Sequence, residues 1–288
     1  MLEETLKDLQ CPGKEFRGAP FWAWNGKLEP EVLRSQIREM KKMGLGGFFM
    51  HSRVGMNTPY LQDKWFDCVK ACTDEAEKNG MNAWLYDEDR WPSGAAGGIV
   101  TKNPAYRMRV LLCDYSENAK KNEDGETLAW AALRFVKDDE KELDSYRQLS
   151  MPDSVLKPDE ILCRFYCMQQ KKSSWYNDQT YLDTMNPEAV QKFIEVTHDT
   201  YKKEMSDEFG KNIPGIFADE PNYFGANPDM TKKAIPWTDK IPELFQKKYD
   251  YDLTPKLPEL FFPLEGKTFY TVRLHFMNLI TDCFVHAF

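Results

Sequence analysis

Between residues 18 and 86 the chain alternates short apolar runs with longer amphipathic ones, and this alternation limits what it can fold into. Residues 18–24 are aromatic and apolar, as a first strand requires, and Asn25-Gly26 marks a turn. Over residues 29–43 the apolar side chains fall at Val32, Leu33, Ile37, Met40 and Met43, the spacing of one helix face, and Gly44 supplies a stop. Residues 46–50 predict a buried strand, followed by a polar loop over 51–59. Residues 64–78 predict a second helix ended by Asn79-Gly80, and 81–86 a third strand. Strand, helix, strand, helix, strand with short connections specifies parallel βαβ units. Right-handed crossovers then leave an open doubly wound sheet or a closed barrel. No GxGxxG follows the first strand, which favours the barrel and argues against a dinucleotide or other organic cofactor.

The pattern changes after residue 98. Segments 106–115, 127–137 and 160–171 predict strands, separated by charged, turn-rich stretches over 117–126 and 137–144. We read 104–178 as an antiparallel, β-rich insertion after the third strand, carried within a barrel domain that spans 15–288. Helical order returns at Asn186-Pro187 and predicts one helix to about residue 209. Residues 213–218 predict a fourth strand leading into Asp219-Glu220-Pro221, and two further helices are expected near 240–250 and 267–288. A closed barrel needs eight strands. With only four accounted for, the expectation is an α/β fold holding part of a (β/α)8 TIM-type barrel, in a fragment of a longer protein.

Composition removes several function classes. The net charge is −8, with 38 basic and 46 acidic residues, and no long Lys/Arg cluster interrupts the balance. Such a chain is a poor nucleic-acid binder. No window approaches the roughly 18 apolar residues of a membrane span. Residues 1–14 are polar and charged, so no secretory signal is visible and a cytoplasmic location is expected. Seven cysteines without a CxxC spacing fit free thiols in a reducing compartment. Aromatic residues make up 14% of the chain, which fits either a Phe-heavy core or exposed rings of the kind that sugars stack on. Nothing in the sequence fixes an oligomeric state.

In a βα barrel the loops after the strands form the active face. Past the first strand lie Trp22, Trp24 and Asn25; past the second, His51, Ser52 and Arg53; past the third, Asp87, Glu88, Asp89, Arg90 and Trp91; past the fourth, Asp219, Glu220 and Asn222. Polar or aromatic residues directly after four apolar strands converge on one site. Glu220 is the first candidate for chemistry, because a partly desolvated carboxyl at a strand end can have its pKa raised and act as an acid. Glycoside hydrolysis needs two carboxyls, and strand alternation makes Glu88 the member of its cluster that faces the pocket. The three successive acids at 87–89 need an offset to their repulsion, from Arg90 or from a calcium ion. His51, Arg53, Asp89, Arg90, Asp219 and Asn222 are candidates for binding sugar hydroxyls or a developing charge, and Trp22, Trp24 and Trp91 for stacking on sugar faces. Residues 93–98, Ser-Gly-Ala-Ala-Gly-Gly, lack the Gly-Lys-Ser/Thr ending of a phosphate loop and read as a backbone turn passing close to the pocket.

At these same residues the chain resembles a known family. Phe21-Trp-Ala-Trp-Asn25 with the stretch from Leu33 to Gly55, Trp84-Leu-Tyr-Asp-Glu-Asp-Arg-Trp-Pro-Ser-Gly94, and Gly215-Ile-Phe-Ala-Asp-Glu-Pro221 together resemble the N-terminal barrel of glycoside hydrolase family 106, the α-L-rhamnosidases and their relatives. The resemblance covers roughly 18–100 and 180–222. It implies a (β/α)8 catalytic domain, inverting hydrolysis by a carboxyl acid and a water-activating base, and calcium dependence. It carries Glu220 over as a pocket carboxylate, catalytic or calcium-binding, and His51, Arg53, Glu88 and Asp89 as pocket-lining. It places at least one catalytic glutamate past Phe288.

Two other readings compete with a glycosidase. A non-catalytic carbohydrate-binding barrel would keep the aromatic residues and lack the second carboxyl. A divalent-metal hydrolase of an ester or amide would use Asp87, Asp89 and Asp219.

Overall fold

Four of the predicted apolar runs pair as parallel strands, and the elements follow the expected order. The computed structural model describes residues 9–136, 139–223, 234–266 and 269–288. Residues 1–8 of the polar N-terminal stretch, 137–138 where a predicted strand meets a charged connection, and 267–268 at the start of a predicted helix lie outside the described residues. In chain order the elements are β1 (Phe21–Trp24), α1 (Pro30–Lys42), β2 (Gly47–Ser52), α2 (Asp63–Lys78), β3 (Asn82–Tyr86), β4 (Arg109–Asp114), β5 (Glu126–Val136), β6 (Asp139–Leu149), β7 (Ile161–Gln169), α3 (Pro187–Val196), α4 (His198–Met205), β8 (Ile216–Phe217), β9 (Ile235–Trp237), α5 (Ile241–Tyr249), α6 (Leu257–Phe261) and α7 (Phe269–Ala287). The chain divides into two compact units: residues 1–102, 175–177 and 191–221 in the first, and 103–174, 178–190 and 222–288 in the second.

In the first unit β1, β2, β3 and β8 form a parallel sheet in that order. Every neighbour pair is sequential among these four, so the strand order never reverses. One face packs Trp24, Phe48, Met50, Ala83 and Leu85 against Leu33, Ile37 and Met40 of α1, Val69, Cys72 and Ala76 of α2, and Tyr201 and Met205 of α4. The opposite face carries Phe21, Phe49, Trp84 and Phe217, with Phe21 half exposed and the other three partly so. These rings touch one another at centroid distances of 5.0–5.5 Å. Gly47 lets β2 and β3 approach: a Cβ there would meet the Asn82 carbonyl oxygen at 2.6 Å.

The predicted helix over 187–209 is interrupted at Thr197, where φ is −102° and ψ is −70°. Its hydroxyl donates to the Phe193 carbonyl at 2.7 Å, and a new helix begins at His198. Threonine bonding back into the preceding turn is a known way to bend a helix.

The second unit is built on an antiparallel sheet of order β6-β5-β7-β4-β9. One face, with Leu111, Ala131, Leu133, Cys163, Phe165 and Trp237, packs on Phe245 of α5, Phe261 of α6 and Val272, Phe276 and Ile280 of α7. β6 covers residues read from sequence as a charged connection. It lies at the sheet edge, where a charged strand is tolerated and discourages edge-to-edge pairing. Leu143, fully buried, anchors it. β9 holds Pro236, which the sheet accepts because β9 is the opposite edge. The antiparallel sheet therefore draws on more of the chain than 104–178, since β9 and the helices after it complete its core. No helix among the described residues is long and apolar enough to cross a membrane.

Gly47→Ala forces backbone against backbone rather than against a flexible side-chain end. We expect it to lower stability by about 1–3 kcal/mol, measured as a shift in the denaturant midpoint. An unchanged midpoint would show that the β2–β3 spacing relaxes freely.

Candidate functional site at the strand ends

The parallel ladder brings the C-terminal ends of β2, β3 and β8 side by side, and side-chain alternation selects what faces outward there. His51 on β2 stacks on Tyr86 of β3, with ring centroids 3.7 Å apart and planes 26° from parallel. His51 Nε2 lies 3.1 Å from the Arg90 carbonyl and donates to it in the tautomer that protonates Nε2. Burial, aided by the charge of Arg53, holds the imidazole below its usual pKa. The Tyr86 hydroxyl donates to Asp219 Oδ2 at 2.6 Å and sits 2.9 Å from the Arg90 carbonyl. Burial first, and then the Asp219 carboxylate, raise the pKa of that phenol.

The three acids after β3 are all buried, and each turns to different partners. Asp87 accepts from the Ser93 hydroxyl at 2.5 Å and pairs with His198 Nε2 at 3.0 Å. Ser93 is also stitched to the end of β8: its N–H donates to the Asp219 carbonyl at 2.9 Å, and the Asp219 N–H donates to the Ser93 hydroxyl at 2.8 Å. Asp89 accepts from the Ser52 hydroxyl at 2.6 Å and from Asn177 Nδ2 at 2.9 Å. As a set the three carboxylates do not converge on a point where a calcium ion could sit. Among the described residues no group of three or more His, Cys, Asp or Glu side chains is placed to hold a metal ion.

Glu88 has the most specialised surroundings. Its Oε2 accepts the N–H groups of Gly94 and Ala96 at 2.9 and 2.8 Å, and its Oε1 those of Gly97 and Asp89 at 2.5 and 2.9 Å. Residues 94 and 96–98 all have positive φ, the conformations that turn successive N–H groups toward one anion. The Ser-Gly-Ala-Ala-Gly-Gly stretch therefore does form an anion cradle, and the anion is the chain's own carboxylate. Gly97 is required on two counts: its φ is +62°, and a Cβ there would lie 2.8 Å from Asp89 Cβ. Burial pushes the Glu88 carboxyl up to about 7, against the pull of its N–H donors.

The remaining candidates divide clearly. Trp24 is 1% exposed and belongs to the core, where its ring packs edge-on to Trp65, so it offers no face to a sugar. Its expected stacking role is corrected here, because β1 turns it to the helix side. Trp22 sits on that same side and donates from Nε1 to Gln36 Oε1 at 3.1 Å. Asn25 is exposed, and Trp91 is 38% exposed with its carbonyl accepting from Trp175 Nε1. Glu88 does not face open space, being 2% exposed. Glu220 is exposed and adopts a left-handed φ of +46°. Asn222 belongs to the second unit, where its carbonyl accepts from Thr184 at 2.8 Å. Arg90 donates to the Trp175 carbonyl at 2.7 Å and to Asn177 Oδ1 at 2.8 Å. Arg53, Asp89, Arg90 and Asn177 line a cavity of about 250 Å³ in the first unit.

Tyr86, Asn177 and His198 take part without having been singled out from sequence, and Ser93 enters the sequence reading only as the start of a backbone turn. Asn177-Asp178, both left-handed, is a turn signal that local reading can find. His198 carries no local signal, since its partner is 111 residues away.

The sequence matches no protein-family model. It also matches no curated protein. The fold is similar to the structure of a rhamnosidase from Novosphingobium sp. PP1Y, with a TM-score of 0.59 and 13% sequence identity over 96% of this chain and 45% of that one. At that identity the likeness speaks to the fold alone, and this chain spans less than half the length of the rhamnosidase.

Removing the Glu88 carboxylate strands the N–H groups of Gly94, Ala96 and Gly97. We expect Glu88→Ala to lose about 2–4 kcal/mol of stability near pH 7. The folded protein holds this proton up to about pH 7, whereas the unfolded chain releases it near 4.5. Folding therefore takes up a proton between those values, and the contribution of Glu88 to stability falls as pH rises from 4.5 to 7. Denaturant midpoints across that window should show this downward component in the wild type and not in Glu88→Ala, with the gap between them narrowing. Parallel pH profiles would overturn the assignment.

Proposed function

We propose that this chain is the N-terminal part of a glycoside hydrolase barrel that cleaves α-L-rhamnosides or related glycans by carboxylate catalysis with inversion. The observation that carries this reading is the gathering of Tyr86, Asp219 and Glu220 at the ends of sequential parallel strands, one face of which carries aromatic rings. The strand order supports a partial barrel over a doubly wound sheet, because nothing in it reverses. The likeness to a rhamnosidase more than twice as long, and the sequence resemblance to glycoside hydrolase family 106, support the same reading.

In this reading Glu220 is the reacting carboxyl. A non-glycine residue held at positive φ costs of order 1–3 kcal/mol, and such conformations cluster at functional sites. Tyr86 and Ser93 position the neighbouring Asp219 through its carboxylate and its backbone. His51, Arg53, Asp89 and Arg90 line the sugar pocket, Trp91 offers the exposed ring, and Glu88 shapes the loop instead of reacting. Inversion needs two carboxyls about 6.5–9.5 Å apart with a water between them, and Glu220 supplies one of them in this reading. Calcium, if required, is held by residues other than the 87–89 set alone.

One observation favours a second reading. The saturation of Glu88 by four N–H donors removes a carboxylate from the reactive set, as in a barrel that binds carbohydrate without cleaving it.

The test uses the full gene product on an aryl α-L-rhamnoside and a panel of other aryl glycosides, with and without chelator. Glu220→Gln should lower kcat by about 10²–10⁴-fold. Full activity in the variant would overturn the role of Glu220. A wild type that binds glycosides and cleaves none would select the binding reading. Activity that survives the chelator would remove calcium from the proposal.

A further inference from the structure

Residues of α5 and α7 line a cavity of about 730 Å³ in the second unit, and it shares no residue with the strand-end site. Its lining is largely apolar: Met185 and Leu279 are buried, and Leu244 and Cys283 are half-buried. No Phe, Tyr or Trp ring lines it, in a chain that is 14% aromatic. The cavity therefore lacks the flat surfaces on which sugars stack. Flexible thioether and leucyl side chains accommodate an aliphatic chain instead. Part of the wall is preformed. The buried Asp183 accepts from the Met185 N–H at 3.2 Å and from the Thr238 hydroxyl at 2.6 Å, which fixes two lining residues to one carboxylate. The Thr238 carbonyl in turn accepts from the Ile241 N–H at 3.1 Å and sets the start of α5. The volume falls within the roughly 300–1,000 Å³ of small-molecule sites.

The rim is charged, and unevenly so. Asp239 pairs with Arg109 at 3.0 Å, and Asp282 pairs with Lys248, which ties α7 to α5. Glu188 is exposed at the start of α3. Lys240, at the N-cap of α5, and Lys247, two turns further on, share one helix face with Leu244 between them. Both lysines are exposed, and among the described residues neither has an ion-pair partner. Once the paired charges are set aside, two ammonium groups face a single carboxylate across the rim. An apolar pocket with a positive edge is complementary to an amphiphile with a negative head.

We infer that this cavity binds a free aliphatic carboxylate of medium chain length, its tail against Met185, Leu279 and Cys283 and its head at Lys240 and Lys247. Such a site is separate from the strand ends and stands whether or not the chain acts on carbohydrate.

Calorimetric titration of the 288-residue chain with decanoate, butyrate and decyltrimethylammonium tests this. Decanoate should bind at least about tenfold more tightly than butyrate, because its extra methylenes leave water. It should bind at least about threefold more tightly than the cation, a preference in the range of exposed ion pairs, and added salt should weaken that preference. Lys240→Glu combined with Lys247→Glu should reverse it, and both positions are exposed, so the fold tolerates the exchange. Leu244→Trp should abolish decanoate binding by filling the cavity. Alkylation of Cys283 by iodoacetamide, followed by peptide mapping, should slow when decanoate is bound. That protection locates the ligand and decides the matter if the tryptophan variant fails to fold. Absence of decanoate binding, equal binding of the two head groups, a preference that survives the double charge reversal, or binding that leaves Cys283 labelling unchanged each overturns the inference. So does capture by phosphatidylglycerol vesicles without binding of monomeric decanoate, which would mark a lipid surface as the partner.

Discussion

The carboxylate of Glu88, closed inside a ring of backbone N–H groups, fixes the geometry on which the rest of the strand-end site depends. A loop whose residues at 94 and 96–98 all sit at positive φ is held among its own backbone groups only by short turn bonds, from Gly98 and Val100 to Ala95 and from Ile99 to Ala96. With Glu88 as a common acceptor the loop becomes a single rigid object. Ser93, at its start, is thereby set where it can reach Asp87 on one side and the backbone of Asp219 on the other. Gly97, near its end, is set against Asp89. One buried carboxylate thus relays order to the other two acids and across to β8.

This arrangement explains why three adjacent acids are tolerable. Repulsion among neighbouring carboxylates is severe when they share a solvent-poor volume. Here each is directed to its own set of donors: hydroxyl and imidazole for Asp87, backbone for Glu88, hydroxyl and amide for Asp89. The acids act as three separate fasteners, and the positive charge of Arg53 is left outside the scheme.

Much of this was legible in the sequence, and the limits are physical. The apolar periodicities located β1, β2, β3 and their helices to within a few residues, because burial on one face leaves a spacing that local reading can detect. The strand-end rule pointed to His51, Asp89 and Asp219, which the ladder does bring together. Simple alternation makes Glu88 pocket-facing, but it does not extend past Tyr86, where the strand has ended and the loop's own hydrogen bonds decide direction. Trp24 is a stacking candidate by its place at the strand end, although its period-2 position puts it with the core residues. β6 was read as a connection because edge strands carry charge by design. His198 was invisible because its role depends on a helix break at Thr197 and a partner on a distant strand.

The segment at Trp175–Asn177 has a consequence for chain entropy. Its hydrogen bonds to Arg90 close an excursion of 85 residues, yet closing a loop of that size costs only about 0.6 kcal/mol more than closing one half as long. The contacts that bring the chain back to Arg90, Asp89 and Gly97 are therefore nearly indifferent to how much sequence lies between them. Such a scaffold can carry a longer or shorter excursion at this point for little entropic cost, which makes it a place where length varies cheaply.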